Sequence, residues 1–397
     1  MSQATPLEQL LETATEKRAL TLGVPASVTG NDRRFPLTPE GAATLVSMGI
    51  DVRIEKGAGH AIHYTDDRYV RNGARMVTRT EALGCDIVLH LDAIADADAR
   101  RLRRGSLLLT LFAPARQDRA AMRTLLERHV VSMALDLITD RFGNMPFADI
   151  LDEIEGRAAM AISASLLADS VHGKGILLGG VAGIVPCEVT VIGAGIAGIA
   201  AARSASGLGA MVRMFDSDVY KLRAAARELG PAAICAAMHP KVLVSALRSA
   251  DVVIAAQMPT VFVMAPETVS EMKQGVITFN LDGYGRRASR VPMFGCMRMV
   301  DLRAASPGDN MNKNGERVCY TNVAAAVPRT TAMALSNTLI TMFNDIVTCG
   351  GGVVNALKLH SGMQCAVYTF MGRVVNEEIA RIVGLRHVDI NLLLQFS

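Results

Sequence analysis

The stretch "EVTVIGAGIAGIAAARSASGLG" constrains the fold more than any other part of the chain. Five residues of mostly β-branched character, 188–192, run into Gly193, Gly195 and Gly198, and an alanine-rich helical pattern continues to about Leu208. A strand that turns tightly on glycines into a helix opens a βαβ unit, and such units need a parallel sheet covered by helices. The flanking sequence continues that alternation. "LTLGV" (20–24), "DVRIE" (51–55), "DIVLHL" (86–91), "SLLLTLF" (106–112) and "VVSMALD" (130–136) read as strands separated by helical stretches. One of those helices, Thr38–Met48, starts with Thr-Pro, a sound pairing of N-cap and first helical residue. "MVRMFD" (211–216), "DVVIAA" (251–256) and "GVITFNLD" (275–282) extend a second series. After Pro328 the pattern becomes mainly helical, with "TTAMALSNTLITMFNDIV" as one long amphipathic segment.

Two such series in 397 residues imply two domains of ordinary size. Composition narrows the function classes. A net charge of +3 is too mild to argue for nucleic acid, and the short run "RRLRR" (100–104) suits a solvated helix end. The seven cysteines are scattered without a CxxC pair or a Cys/His cluster, so no metal site is expected and a reducing, cytoplasmic setting fits. The first 20 residues read as a mixed-charge helix without the apolar run of a secretion signal. The most apolar long window, 181–202, is broken by Pro186, Glu188 and several glycines, so no membrane span is expected.

The glycine turn points to a dinucleotide. Gly193 permits the tight turn, Gly195 lets the backbone approach a pyrophosphate, and Gly198 allows close helix–strand packing. The helix N-terminus adds free N–H groups and a dipole that favours phosphate. The next strand ends in Asp216, whose carboxylate suits the adenosine ribose hydroxyls and repels a 2′-phosphate, so NAD is favoured over NADP. Arg213 reads as a strand-surface residue. A second feature is "VLHLDAI" (88–94), where His90 and Asp92 share one face of a strand end.

Three further stretches carry a resemblance: "GVPASVTGNDRRFPLTPEGAATL", "GKGILLGGVAGIVPCEVTVIGAG" and "CYTNVAAAVPRTTAMALSN". Together, over roughly residues 20–350, they resemble the alanine dehydrogenase and proton-translocating transhydrogenase α-subunit family. The resemblance implies an α/β fold of two Rossmann-like, doubly wound parallel-sheet domains with an interdomain cleft. A substrate domain would comprise residues 1–147 and 330–397, and an NAD-binding domain residues 148–329. Arg34 falls on the arginine that holds the substrate carboxylate, a task suited to the two parallel hydrogen bonds of a guanidinium. Asp216 would hold the ribose with Lys221 nearby. Asp282, in "NLDGYG", falls on the family's active-site aspartate, with Asn280 as its rival in register. Asn322 would approach nicotinamide and substrate.

The same resemblance exposes departures. The family's dehydrogenases carry Lys-Val-Lys-Glu-Pro on the strand matching "HLDAI", so His90 falls on the first lysine and Asp92 on the second, which contacts the keto oxygen. An anion there reverses the local field. The family's catalytic histidine falls near Ala113 in "LFAPARQ", a segment closer to the transhydrogenase version. The serine before the family's Val-Ala-Gly falls on Asp152. A positioned acid or base contributes about 10²–10⁴-fold in rate, so both losses need replacing. His90 is the natural replacement, able to exchange a proton near neutral pH, with Asp92 placed to raise its pKa.

Three functions follow from these expectations. The first is an NAD-dependent, alanine-dehydrogenase-like oxidoreductase that deaminates a small L-amino acid, with an altered substrate left open by the replaced lysine and histidine, and with Arg34, His90 and Asp282 as catalytic groups. It would be a cytoplasmic homo-oligomer. The second is a transhydrogenase-like NAD(H)-binding subunit, which "LFAPARQ" favours and the missing Arg-Ala-Gln loop and membrane anchor disfavour. The third is a non-catalytic NAD-binding protein, because function resides in the site and not in the scaffold.

Overall fold

The computed structural model describes residues 19–27, 33–256, 262–281, 283–284, 291–306, 317–347, 357–358 and 360–395. In chain order its strands are β1 (Thr21–Val24), β2 (Asp51–Glu55), β3 (Arg75–Val77), β4 (Ile87–Leu89), β5 (Leu107–Thr110), β6 (Val131–Ala134), β7 (Glu188–Ile192) and β8 (Met211–Asp216). They continue with β9 (Ala233–Ala237), β10 (Val252–Ala255), β11 (Ile277–Asn280), β12 (Arg298–Asp301), β13 (Val318–Thr321), β14 (Val367–Phe370) and β15 (Arg373–Val374). Two sheets result. The first has the order β15-β14-β6-β5-β4-β1-β2-β3, the second β12-β13-β11-β10-β7-β8-β9.

All pairings among β1–β6 and among β7–β13 are parallel. Central strands such as β1, β5 and β10 are buried at every residue, which is why they read as unbroken apolar runs. Each sheet rests on its own apolar core. One runs from Leu22 to Leu151 and takes in Ala332–Leu394, and the other, built from residues between Ala158 and Val323, is completed by a separate cluster around Ile192, Phe215, Val253 and Phe294. The family's α/β architecture of two doubly wound sheets is therefore the fold observed, with one amendment.

The amendment lies after Pro328, where the helical reading is incomplete. The helix Pro328–Val347 forms, but β14 and β15 follow as a hairpin that pairs antiparallel with β6. Met371 and Gly372, both at positive φ, make the reversal. Thr369 anchors β14 by donating to the Val130 carbonyl at 2.9 Å, with its oxygen 2.7 Å from the Ser132 hydroxyl. Four residues, "VYTF", are too few to show a period, so the sequence pattern missed them.

Two helices tie the halves together. Pro146–Ala168 spans 23 residues, about 34 Å at 1.5 Å per residue. Leu151 on it belongs to the first core and Ala158 to the second. It approaches the helix Ile196–Gly207 so closely that a Cβ on Gly156 would lie 2.1 Å from the Ala197 carbonyl oxygen. The helix Pro328–Val347 crosses back to the first core through Ala332, Leu335, Leu339 and Phe343. The Thr38 amide donates to its Ser336 hydroxyl at 3.3 Å, and Thr38 caps the helix Pro39–Ser47 by accepting from the Gly41 amide.

Candidate active site

The strand order reverses between β1 and β4 in the first sheet and between β7 and β10 in the second. Crevices at the carboxyl ends of such switch points are where open α/β sheets bind ligands. At the second switch point the glycine turn leaves β7. Gly193 has φ +106°, and Gly195 stands at the N-cap of the helix Ile196–Gly207 with no side chain capping it. A Cβ on Gly198 would lie 1.9 Å from the Gly193 carbonyl oxygen, so only glycine fits. The uncapped first-turn N–H groups are a ready anion site.

Asp216 ends β8 fully buried. One carboxylate oxygen accepts from the Ala194 amide at 2.7 Å and the other from the Asp218 amide at 2.8 Å. It therefore ties the glycine turn to the tip of β8. Asp218 caps the helix Val219–Leu229 by accepting from the amides of Tyr220 and Lys221. Arg213 faces Glu188 across the sheet surface at 3.4 Å, away from this tip. The tight turn, the uncapped helix and the carboxylate at the strand tip fit a dinucleotide.

The second part of the site is a cavity of about 110 Å³ where the carboxyl ends of both sheets converge. The first sheet contributes Leu91 and Asp92 after β4, Leu111 and Phe112 after β5, and Arg34 from the segment after β1. The second contributes Tyr284 after β11, Arg303 after β12 and Asn322 after β13, and the helix Pro146–Ala168 contributes Glu155. Arg34 is buried, and its Nη1 donates to the Tyr284 hydroxyl at 3.4 Å. The Tyr284 hydroxyl lies 3.1 Å from Glu155 Oε1, and the Tyr284 amide donates to Asp152 at 3.1 Å. Burial, reinforced by Glu155, pushes the Tyr284 phenol well above its ordinary value, so it stays protonated.

Asn322 sits in the left-handed region, φ +55° and ψ +47°, a conformation asparagine tolerates and active sites often use. Its amide donates to Asp301 at 3.1 Å. Burial works to raise the Asp301 carboxyl, but the Arg303 contacts outweigh it and hold the group below the usual range.

His90 and Asp92 do not form the acid–base couple expected of them. β4 ends at Leu89, and beyond it the ladder persists only as single bonds, His90 N–H to the Leu109 carbonyl and Leu111 N–H to the Leu91 carbonyl. His90 Nδ1 lies 3.0 Å from the backbone oxygen of Asp92, while Nε2 has no hydrogen-bond partner among the described residues. Burial lowers the His90 pKa, the opposite of the shift expected from Asp92, because desolvation of the cation outweighs the backbone and carboxylate contributions. The Asp92 carboxylate turns to Arg116 instead, at 2.6 Å, and accepts from the Ala93 amide. Arg116 comes from "LFAPARQ", so that segment returns the positive charge that Asp92 removes.

The comparisons with known proteins bear on these features. The family profile described as "Alanine dehydrogenase/PNT, N-terminal domain" matches residues 23–151, and "Alanine dehydrogenase/PNT, C-terminal domain" matches residues 159–377. The chain belongs to the alanine dehydrogenase/PNT family. Curated relatives include the alanine dehydrogenases of Mycolicibacterium smegmatis, 28% identical over 93% of this chain and 98% of its own length, and of Bacillus subtilis, 28% identical over 94% and 97%. Among solved structures, an L-alanine dehydrogenase superposes with a TM-score of 0.80 at 23% identity over 92% of this chain and 99% of its own. A transhydrogenase from Sinorhizobium meliloti superposes with a TM-score of 0.70 at 19% identity, over 89% and 99%.

Against the family pattern, the expected residues fall into two groups. Gly193, Gly195, Gly198 and Asp216 make up the nucleotide turn and the strand tip tied to it, Lys221 lies in the first turn of the helix capped by Asp218, and Arg34 and Asn322 line the same cavity. His90 lines a narrower crevice beside Arg34, with Ser27 and Asp92, and not the cavity itself. Asp282 lies outside the described residues. Its rival Asn280 is buried, with Oδ1 accepting from the Met293 amide at 2.9 Å, a bond that shapes the loop after β11. Lys174 does not enter the cleft, because its Nζ binds Asp251 at the opposite end of β10. Sequence reasoning missed Tyr284, Glu155, Arg116 and Arg303. A weak signal existed for Glu155, three residues after Asp152 and thus on the same helix face.

Proposed function

We propose that the chain is an NAD-dependent, alanine-dehydrogenase-like oxidoreductase that interconverts a small L-amino acid and its 2-oxo acid. The observation that carries this reading is the meeting of Arg34, Tyr284 and Asn322 in one cavity at the carboxyl ends of both sheets. Bound NAD supplies the hydride acceptor. Gly193, Gly195 and the first turn after them hold its pyrophosphate, Gly198 keeps that turn tight, and Asp216 with Lys221 faces the adenosine ribose. Asn322 stands beside the nicotinamide.

Arg34 takes the substrate carboxylate through two parallel hydrogen bonds. Leu91 and Leu111 supply apolar wall, and a space of about 110 Å³ selects a short side chain. The Asp92–Arg116 pair is nearly neutral as a unit, which leaves the carboxylate attracted to Arg34 without a competing anion. His90, held neutral by burial, backs the Arg34 side of the cavity from its crevice. A cytoplasmic homo-oligomer belongs to the same reading.

The test is direct. Purified protein is incubated with NAD and a panel of L-amino acids, and NADH absorbance is followed. Turnover with a small amino acid is expected. Tight NAD binding with no turnover on any amino acid would overturn the dehydrogenase reading.

A further inference from the structure

The family's acid–base histidine and lysine are missing, and the group that replaces them must touch the substrate nitrogen or oxygen. We propose that Tyr284 and Glu155 form a proton relay in which Tyr284 meets the substrate amino group and Glu155 receives the proton. The proposal rests on the dehydrogenase reading above and gives it its missing proton acceptor.

Four observations carry it. Tyr284 lines the cavity and stands 3.4 Å from Arg34 Nη1, so a substrate whose carboxylate lies on Arg34 brings its neighbouring α-nitrogen towards the phenol oxygen. The phenol is 3.1 Å from Glu155 Oε1, within range for a hydrogen bond along which a proton passes. The pair is held by a second acid of the same helix, since Asp152 takes the Tyr284 amide. Asp152 and Glu155 are both buried, at 1% and 3% exposure, although acids are rarely buried without a task. By the family resemblance, Asp152 stands where the family has serine.

The step balances without an outside base. An N–H bond of the substrate ammonium breaks and its proton forms an O–H bond on Tyr284, while the phenol's own proton moves to Glu155 Oε1. The electron pair left on nitrogen then drives hydride departure from the α-carbon. Glu155 ends as a neutral carboxylic acid, Tyr284 is unchanged, and the reverse sequence protonates the amine in reductive amination. A phenol that burial keeps protonated suits this role, because it gives up its proton only as it receives another. The charged groups around the pair are Asp152 on the same helix, Arg34 after β1, Arg303 after β12, and the Asp92–Arg116 pair.

The experiment uses the full chain with NAD and L-alanine. Tyr284→Phe keeps the half-buried ring and Glu155→Gln keeps the shape, and NAD affinity verifies folding of each. Both variants are expected to lose at least about 100-fold in kcat with KM for NAD unchanged within about threefold. Glu155→Gln is expected to abolish the acid limb of the kcat profile, and Glu155→Asp to restore part of the rate. Without reference to turnover, L-alanine binding to the wild type should produce a protonated-carboxyl band in the infrared difference spectrum that Glu155→Gln lacks. An active wild type beside a Tyr284→Phe variant within about threefold of it overturns the relay alone, as does a wild type without that band. A wild type inactive on every amino acid overturns the dehydrogenase reading and the relay with it.

Discussion

The pieces of the nucleotide turn all lie between Glu188 and Asp216, in one strand–turn–helix–strand unit. The pieces of the substrate cavity come from Arg34, Asp92, Glu155, Tyr284, Arg303 and Asn322, each on a different segment and drawn from both sheets. The turn is specified by backbone geometry that only glycine satisfies, and its chemistry is borne by N–H groups that any sequence of that shape supplies. The cavity is specified by side chains whose partners lie up to 250 residues away, as Arg34 and Tyr284 do. The first kind of site tolerates little change and stays recognisable. The second lets one position change when a distant one compensates, as Arg116 does for Asp92.

Substitutions can break this contrast, and the largest effect is expected at the turn. Gly198→Val places atoms on the Gly193 carbonyl, and NAD binding measured by fluorescence titration should fall at least about 100-fold, with lowered thermal stability. Survival of NAD affinity would remove the role given to this turn. Next is Arg34→Ala, which removes one partner of a charge-assisted contact worth about 2–4 kcal/mol, roughly 30- to 1,000-fold in kcat/KM for the amino acid. NAD affinity should be unchanged, which separates the two regions. Arg116→Ala leaves the Asp92 carboxylate without its cation, and KM for the amino acid should rise about tenfold in a salt-dependent way.

Asp216→Ala joins the two functions of that carboxylate. NAD should weaken relative to NADP, and loss of the two amide contacts should cost about 1–3 kcal/mol of stability. An unchanged cofactor preference would leave only the structural function. The smallest effect concerns His90. Its folded pKa lies below the ordinary 6.5, so the unfolded chain binds the extra proton first and stability falls as pH drops below about 6.5. His90→Leu should remove that loss, as measured by urea unfolding at pH 6.5 and 5.5. Turnover by His90→Ala falling more than about tenfold would instead place the imidazole on the substrate's path.

Local signals carried most of the architecture. Thr38-Pro39, the runs at 51–55, 188–192 and 211–216, and the glycine spacing all correspond to elements with nearly the expected bounds, because capping, alternation, apolar runs and glycine turns are local patterns. The edge strands β3, β9 and β12 were not legible, since edge positions need neither apolar faces nor length, and β14 is too short to show a period. In the site, Arg34 and Asn322 were found by resemblance, whereas Tyr284 and Glu155 sit where the family pattern offers no guide.

What the sequence by itself determined is the pair of parallel sheets, the dinucleotide turn and the family. Those follow from period, glycine spacing and runs of apolar residues, all of which are local along the chain. Only the tertiary structure decided the charge and protonation of the cavity: that His90 is driven neutral by burial, that Asp92 is matched by Arg116, and that Tyr284 is gripped by Asp152 and Glu155. Desolvation and Coulomb interactions depend on distance in space, and a strand end read alone does not show what the fold brings against it.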